Sequence, residues 1–309
     1  GFIQNYIELP KDSTANLKIF KEDALFKIGK PKQKTGRSFT FGYEGKYEPF
    51  KIQIINSDTL NYSGRLTKEK KSDSLIYWIK TNQKLDSIMF NVYNDKFSDT
   101  LKVKIRDKEN DSLIIKAGQN NTLKFNENFF IEANLPLDKI DNNKINILNK
   151  DSVNVDFKTK LDSIKNQFDF IFQKDEEEEY TIELLPGALI DFYENENDTL
   201  SYKVKTRTYN DYGNLRLNLI NAKFPMIVEL VNPNGEVKYE TYVSDEASVD
   251  FNNIDSGKYF IRIIFDENNN KSYDPGNFLN RLEPEKVVYY PDEIDVRAGW
   301  DLVQEFILK

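Results

Sequence analysis

The chain has 309 residues and contains neither cysteine nor histidine. Without cysteine there are no thiol nucleophiles, disulfides, iron–sulfur clusters or thiolate zinc sites. Without histidine the usual general base near neutral pH is missing, and so is the commonest transition-metal ligand. A metal held by this chain must be a hard, oxygen-loving ion. An enzyme would have to work with carboxylates, Lys, Tyr or Ser alone, so the expectation is a non-catalytic protein. No run of about 18 apolar residues occurs, so no transmembrane helix is expected. Basic stripes are lacking too: 43 Lys and Arg are interspersed with 51 Asp and Glu, for a net charge of −8. That balance argues against a nucleic-acid partner. The chain begins at Gly1 without a Met, a signal peptide or a lipid-accepting Cys. This is expected of a processed chain or a fragment.

Aromatic residues are plentiful, with 22 Phe and 17 Tyr. They suffice for well-filled cores and exclude wholesale disorder. A chain of this length exceeds one core, so two or three domains are expected. Short β-branched or aromatic segments bounded by polar turns recur throughout, among them "RSFTFGYEG" (37–45), "SIMFNVYN" (87–94), "LSYKVKTRTY" (200–209), "MIVELV" (226–231) and "KYFIRIIF" (258–265). Their spacing predicts an all-β fold of tandem β-sandwiches, Ig-like or prealbumin-like, with helix content below roughly 10%. The best helical pattern, "DSIKNQFDFIF" (162–172), reads equally well as a strand. Three modules are expected, over 1–116, 117–219 and 220–309. In the third, "VNPNGEVKYE" (231–240) predicts a hairpin with Asn-Gly at its tip.

One stretch of the third module looks built for a task. In "FDENNNKSYDPGNFLNRLEPEKVVYYP" (265–291), oxygen-bearing side chains alternate at Asp266, Asn268, Asn270, Ser272 and Asp274. These occupy positions 1, 3, 5, 7 and 9 of an EF-hand-type loop, in which alternation turns oxygens inward around Ca²⁺. Two departures stand out. Position 6 is Lys271 where such loops use Gly, and position 12 is Asn277 where they use a bidentate Glu. The missing carboxylate would come from Glu267, Glu283 or Glu285. The competing reading is an Asn-rich turn leading into Asp-Pro-Gly. The acidic run "KDEEEEY" (174–180) predicts a solvated turn, because adjacent acids on an extended chain point to opposite sides.

The third module, through "FIRIIFDENNNKSYDPGNFLNRLEPEKVVYYPDEIDVRAGWDLVQEFIL", resembles the C-terminal end of Ig-like-domain lipoproteins of Bacteroidota. The middle module, through "FNENFFIEANLPLDKID", "LLPGALIDFY" and "NDYGNLRLNL", resembles the S-layer-type Ig-like domain of the same proteins. The resemblance covers about two thirds of the chain. It implies an exported cell-envelope lipoprotein at the outer membrane or cell surface, with any lipid anchor outside this chain. Its partners would be other envelope proteins, for example in an outer-membrane complex, and it supplies no catalytic residues. A recurrent Asp-Ser/Thr tripeptide resembles the O-glycosylation motif of exported Bacteroidota proteins and marks Ser13, Thr59, Ser74, Ser87, Thr100, Ser112, Ser152, Ser163 and Thr199. The plain alternative is that Asp and Ser/Thr form turns before an aliphatic residue opens a strand.

The leading function is therefore a surface scaffold with a structural calcium loop. A glycan-binding protein is the alternative, stacking sugars on Trp78 or Trp300, though both sit in strand patterns that favour a core role. A carboxylate-dependent glycosidase is the third class and needs two opposed acids across a cleft.

Overall fold

The computed structural model describes residues 21–56, 60–70, 72–119, 121–277 and 279–308. Two compact units divide the chain, one spanning Ala24–Arg207 and the other containing everything from Thr208 onward. Among the described residues, helix is limited to the single 3₁₀ turns Asn142–Lys144 and Tyr209–Asp211.

The first unit holds two sandwiches. In the first of these, Ser38–Glu44 and Ser74–Lys80 lie at the centre of one sheet, while Ser87–Tyr93 is the central strand of the other. The period-2 alternation of "SIMFNVY" sends Ile88, Phe90 and Val92 inward. Phe90 then packs its ring against Phe39 and Phe41 at 5.2 Å and Tyr77 at 5.8 Å, distances at which edge-to-face pairs add to simple burial. The second sandwich pairs Glu179–Leu184 with Leu200–Lys205 and Ile145–Leu148, and Gln167–Phe172 with Phe129–Ala133 and Phe157–Asp162. The ambiguous stretch 162–172 thus ends as the second strand of a hairpin, with Asp162 Oδ1 accepting the turn amides of Ile164 and Lys165.

A small apolar joint links the two sandwiches. Ile76, Trp78 and Leu135 are buried together with Leu113, Phe192 and Tyr193 packed against them. Trp78 is 3% exposed, and its indole N–H donates to Thr67 Oγ1 at 2.8 Å. Arg65 donates to the Leu137 carbonyl at 2.7 Å and pairs with Asp138.

The sandwich of the second unit sets Ser248–Asp255, Tyr212–Ile220 and Asp301–Ile307 against Val237–Val243, Met226–Val231, Gly257–Phe265 and Val287–Tyr289. Two boundaries move relative to the sequence expectation. Tyr212–Ile220 belongs to this sandwich and not to the end of the second module, because Leu215, Leu217 and Leu219 enter the core of Val228, Ile261 and Ile263. Ile115–Ala117 pairs with Phe129–Ala133, so residue 116 lies inside a strand of the second sandwich. The Asn-Gly hairpin forms as expected, with Gly235 at φ 81° and Asn232 Oδ1 accepting the amides of Asn234 and Glu236.

Candidate metal centre

Asp266 follows directly on the apolar strand Gly257–Phe265 and is 0% exposed. A buried carboxylate must be satisfied by donors. Its two oxygens accept the backbone amides of Asn270 at 3.1 Å and Lys271 at 2.8 Å, which pulls the chain into a tight loop. Asn268 Oδ1 accepts the Asn270 amide at 3.0 Å, and Asn270 Oδ1 accepts the Ser272 amide at 2.8 Å. Both side-chain amides also donate to one oxygen of Asp274, Asn268 at 2.5 Å and Asn270 at 2.6 Å. Asp266, Asn268, Asn270 and Asp274 are therefore gathered into one ring. Ser272 contributes its backbone amide.

The structure places both residues that depart from a calcium-loop sequence. Lys271 has φ 61°, so the left-handed turn usually assigned to Gly is made by Lys. Its ammonium lies 5.0 Å from the Tyr242 ring centroid, a cation–π contact. Asn277 takes no part, since it pairs with Leu282 in a separate turn. Among the three candidate acids, Glu285 bonds to the backbone of the loop. Its carboxylate accepts the amides of Glu267 at 3.0 Å and Asp274 at 2.9 Å, tying both ends of the loop. Desolvation raises the Glu285 pKa, and the charges of Asp274 and Asp266 push the same way against the two amide hydrogen bonds. The Tyr242 phenol is raised by desolvation and then by the charge of Asp266.

The donors fit a hard cation in kind: three carboxylates, two side-chain amides and nearby carbonyls, with no nitrogen or sulfur ligand needed. They are held together by hydrogen bonds. Among the described residues, no group of three or more Asp or Glu is closed around a metal position. To ligate, the amides of Asn268 and Asn270 must turn their oxygens toward the centre.

Other sequence candidates divide by burial. Ser74 is buried, and its hydroxyl donates to Glu69 at 2.8 Å. Ser87 is half-buried, while Thr100, Ser112, Ser152, Ser163 and Thr199 are exposed. Ser13 and Thr59 lie outside the described residues. In the acidic run, Glu178 is buried rather than solvated, because its Oε1 accepts the amides of Lys150 and Glu179. Trp300 is not core but 49% exposed, with the Arg297 guanidinium 5.0 Å from its ring centroid. A part-buried ion pair, Arg262 with the buried Glu229, escaped sequence reasoning. Its signal was a single charge in each of the apolar strands "MIVELV" and "FIRIIF".

No family model and no curated protein matches the sequence. Among solved structures, the chain is similar to the Bacillus anthracis TIE protein at 10% identity and a TM-score of 0.22. That match covers 97% of this chain and 59% of the other, so the chain spans less than two thirds of that structure. It is also similar to Bacteroides ovatus SGBP-B of a mixed-linkage glucan utilization locus, solved with a mixed-linkage heptasaccharide. Here identity is 11%, coverage 92% and 74%, and TM-score 0.25. The Escherichia coli adhesin FdeC matches at 7% identity over 88% of this chain and 99% of that one, with a TM-score of 0.20. Scores this low carry no functional argument.

Proposed function

We propose that the chain is a non-catalytic scaffold of Ig-like modules in the bacterial cell envelope, and that its third module is locked by a structural Ca²⁺ ion. The observation that carries the calcium reading is the loop in which Asp266 accepts the amides of Asn270 and Lys271, Asn268 and Asn270 both donate to Asp274, and Glu285 accepts the amides of Glu267 and Asp274, with the Lys271 ammonium over the Tyr242 ring. Calcium would neutralise the three carboxylates. Asp266 and Glu285 belong to the segments that leave Gly257–Phe265 and enter Val287–Tyr289. A shared cation would fasten those segments together and stiffen the sheet they edge. Few charged ligands imply an affinity of about 10⁻⁴ to 10⁻³ M, the range of extracellular modules.

The test is thermal unfolding in millimolar Ca²⁺ against EDTA. Calcium is expected to raise the melting temperature of the wild type and to leave Glu285→Gln unmoved. Identical wild-type melts would reduce the loop to a hydrogen-bonded turn. The envelope address rests on the resemblance of the middle and C-terminal modules and on the Asp-Ser/Thr tripeptides, five of which present an exposed hydroxyl at Thr100, Ser112, Ser152, Ser163 and Thr199. On this reading the scaffold binds other envelope proteins. The glycan alternative is weakened, since Trp78 is enclosed in the joint and one ring of Trp300 is already engaged by Arg297.

A further inference from the structure

Each sheet of a sandwich packs one face on the core, so its strands alternate apolar inward with polar outward. Tyr212–Ile220 follows the rule: Leu215, Leu217 and Leu219 enter the core, while Asn214, Arg216 and Asn218 lie on the other side. Two strands break it. Ser74–Lys80 is buried at every position but the last, and Met226–Val231 at every position. For Ser74–Lys80 both covers are visible. Leu75, Tyr77 and Ile79 belong to the core, and Ile76 and Trp78 enter the joint with Leu135.

Met226–Val231 repeats that pattern in the third sandwich. Met226, Val228 and Leu230 are in the core. Ile227, Glu229 and Val231 lie on the outer side, yet are only 3%, 4% and 4% exposed. The register carries this side onto Gly257–Phe265, where Ile264, Arg262 and Phe260 stand opposite them. Ile264 is buried and Phe260 half-buried. Tyr242 and Val287 extend the row of Ile227 and Ile264 to either side. An outer face this apolar and this enclosed carries a third layer.

Three observations name the occupant. Gly1–Asp23 falls in the same compact unit as Thr208–Lys309. Asp23 comes close to Tyr273, whose phenol pKa is raised by desolvation first and then by the charges of Glu285, Asp23 and Tyr289. Tyr289 stands opposite Arg262, at the rim of the same face. The chain before Asp23 is also apolar where a cover needs it, with Phe2, Ile3, Tyr6, Ile7 and Leu9 in "FIQNYIEL" (2–9). Twenty residues span up to about 70 Å, against about 15 Å across four strands, so reach sets no limit. We propose that residues 1–20 cover the outer face of Met226–Val231 and Gly257–Phe265, laying the apolar side chains of residues 2–9 on Ile227, Val231, Phe260 and Ile264. The N-terminal segment is then a working part of the C-terminal sandwich, with the Glu229–Arg262 pair beneath it. The inference rests on neither the envelope reading nor the calcium reading.

The whole chain has no cysteine, so a nitroxide label on Glu8→Cys reports from a single place. In nuclear magnetic resonance spectra the amides of Ile227, Glu229 and Ile264 are expected to lose at least half their intensity. Arg216 and Asp250, an exposed pair on the opposite sheet, should keep theirs. Adding Ile7→Asp/Leu9→Asp should abolish the loss and raise binding of an apolar dye severalfold, whereas Thr14→Asp/Asn16→Asp should do neither. Unmoved shifts at Arg216 and Asp250 show that each variant is folded, and the labelled chain without them decides the placement even if one unfolds. Full intensity at Ile227, Glu229 and Ile264, loss confined to the opposite sheet, or loss that survives the double Asp substitution in the folded chain would each overturn the proposal. So would a loss that arises only between molecules, read by mixing spin-labelled with isotope-labelled chains, because a second copy would then supply the cover.

Discussion

At the residue scale, buried charge decides the sharpest outcomes. Glu229 and Arg262 sit opposite each other in register on neighbouring strands, and each lies within an otherwise apolar run. The hydrogen bond to Glu229 raises the Arg262 pKa further, so the guanidinium stays charged. Removing one partner leaves an uncompensated buried charge, at a cost of about 3–5 kcal/mol. Arg262→Met is therefore expected to destabilise the third sandwich by roughly that amount. Adding Glu229→Leu should recover most of it, and urea titration of the two single variants and the double variant checks the cycle. Glu69 supplies a pH signature. Its carboxylate accepts Lys34 at 2.7 Å and the hydroxyls of Ser74 and Ser72, and Lys34 first, then Ser74, hold its pKa below the ordinary value. A lowered folded-state pKa contributes stability that is present above the unfolded value and is lost as pH falls through the folded one. The wild-type urea midpoint should thus drop on acidification more steeply than that of Glu69→Gln.

At the element scale, the loop after Gly257–Phe265 is shaped by backbone demands as much as by ligands. Lys271 adopts a left-handed conformation that costs a non-glycine residue about 1 kcal/mol or more. Its contact with Tyr242 offsets about 0.5–1 kcal/mol of that. Lys271→Gly removes the strain, the contact and a positive charge near the carboxylate ring together. Calcium-free stability should change by less than about 1 kcal/mol, because these effects oppose each other. Calcium affinity should rise severalfold, as read by calorimetric titration. An unchanged affinity would mean that the ring is not where the ion binds.

At the scale of the whole molecule, the chain is a succession of sandwiches. The first two are joined through a packed, polar-clamped seam: Tyr193 O–H donates to the Ile79 carbonyl at 3.3 Å, Arg37 lies 5.0 Å from the Tyr193 ring centroid, and Lys80 pairs with Glu194 at 2.6 Å. Burial pushes the Tyr193 phenol pKa up, which keeps it a neutral donor. Such a seam favours presentation of surfaces over hinge motion between these two sandwiches. Modification should follow exposure across the same frame. In protein isolated from its native host, peptide mass spectrometry should find added glycan mass on Thr100, Ser112, Ser152, Ser163 or Thr199, and none on Ser74, which is enclosed and bonded to Glu69. Unmodified peptides at all five would remove that support for export.

Local patterns carried much of this protein in plain view. Period-2 alternation marked the strands, Asn234-Gly235 marked a hairpin, and the comb from Asp266 to Asp274 marked the loop, because each depends on residues close in sequence. The absence of His and Cys by itself limited the chemistry. Only the tertiary structure decided which distant segments meet. Tyr212–Ile220 joined the third sandwich by pairing in parallel with Asp301–Ile307, and Glu285 came to accept the amides of Glu267 and Asp274. Glu229 found Arg262 across a ladder, and Ser74 was drawn inside while Thr100, Ser112, Ser152, Ser163 and Thr199 stayed exposed. Strand tendency is written in neighbours a few residues apart. Pairing, register and burial are settled between segments tens of residues apart, where many pairings satisfy the same local pattern and only the one that fills a common core survives.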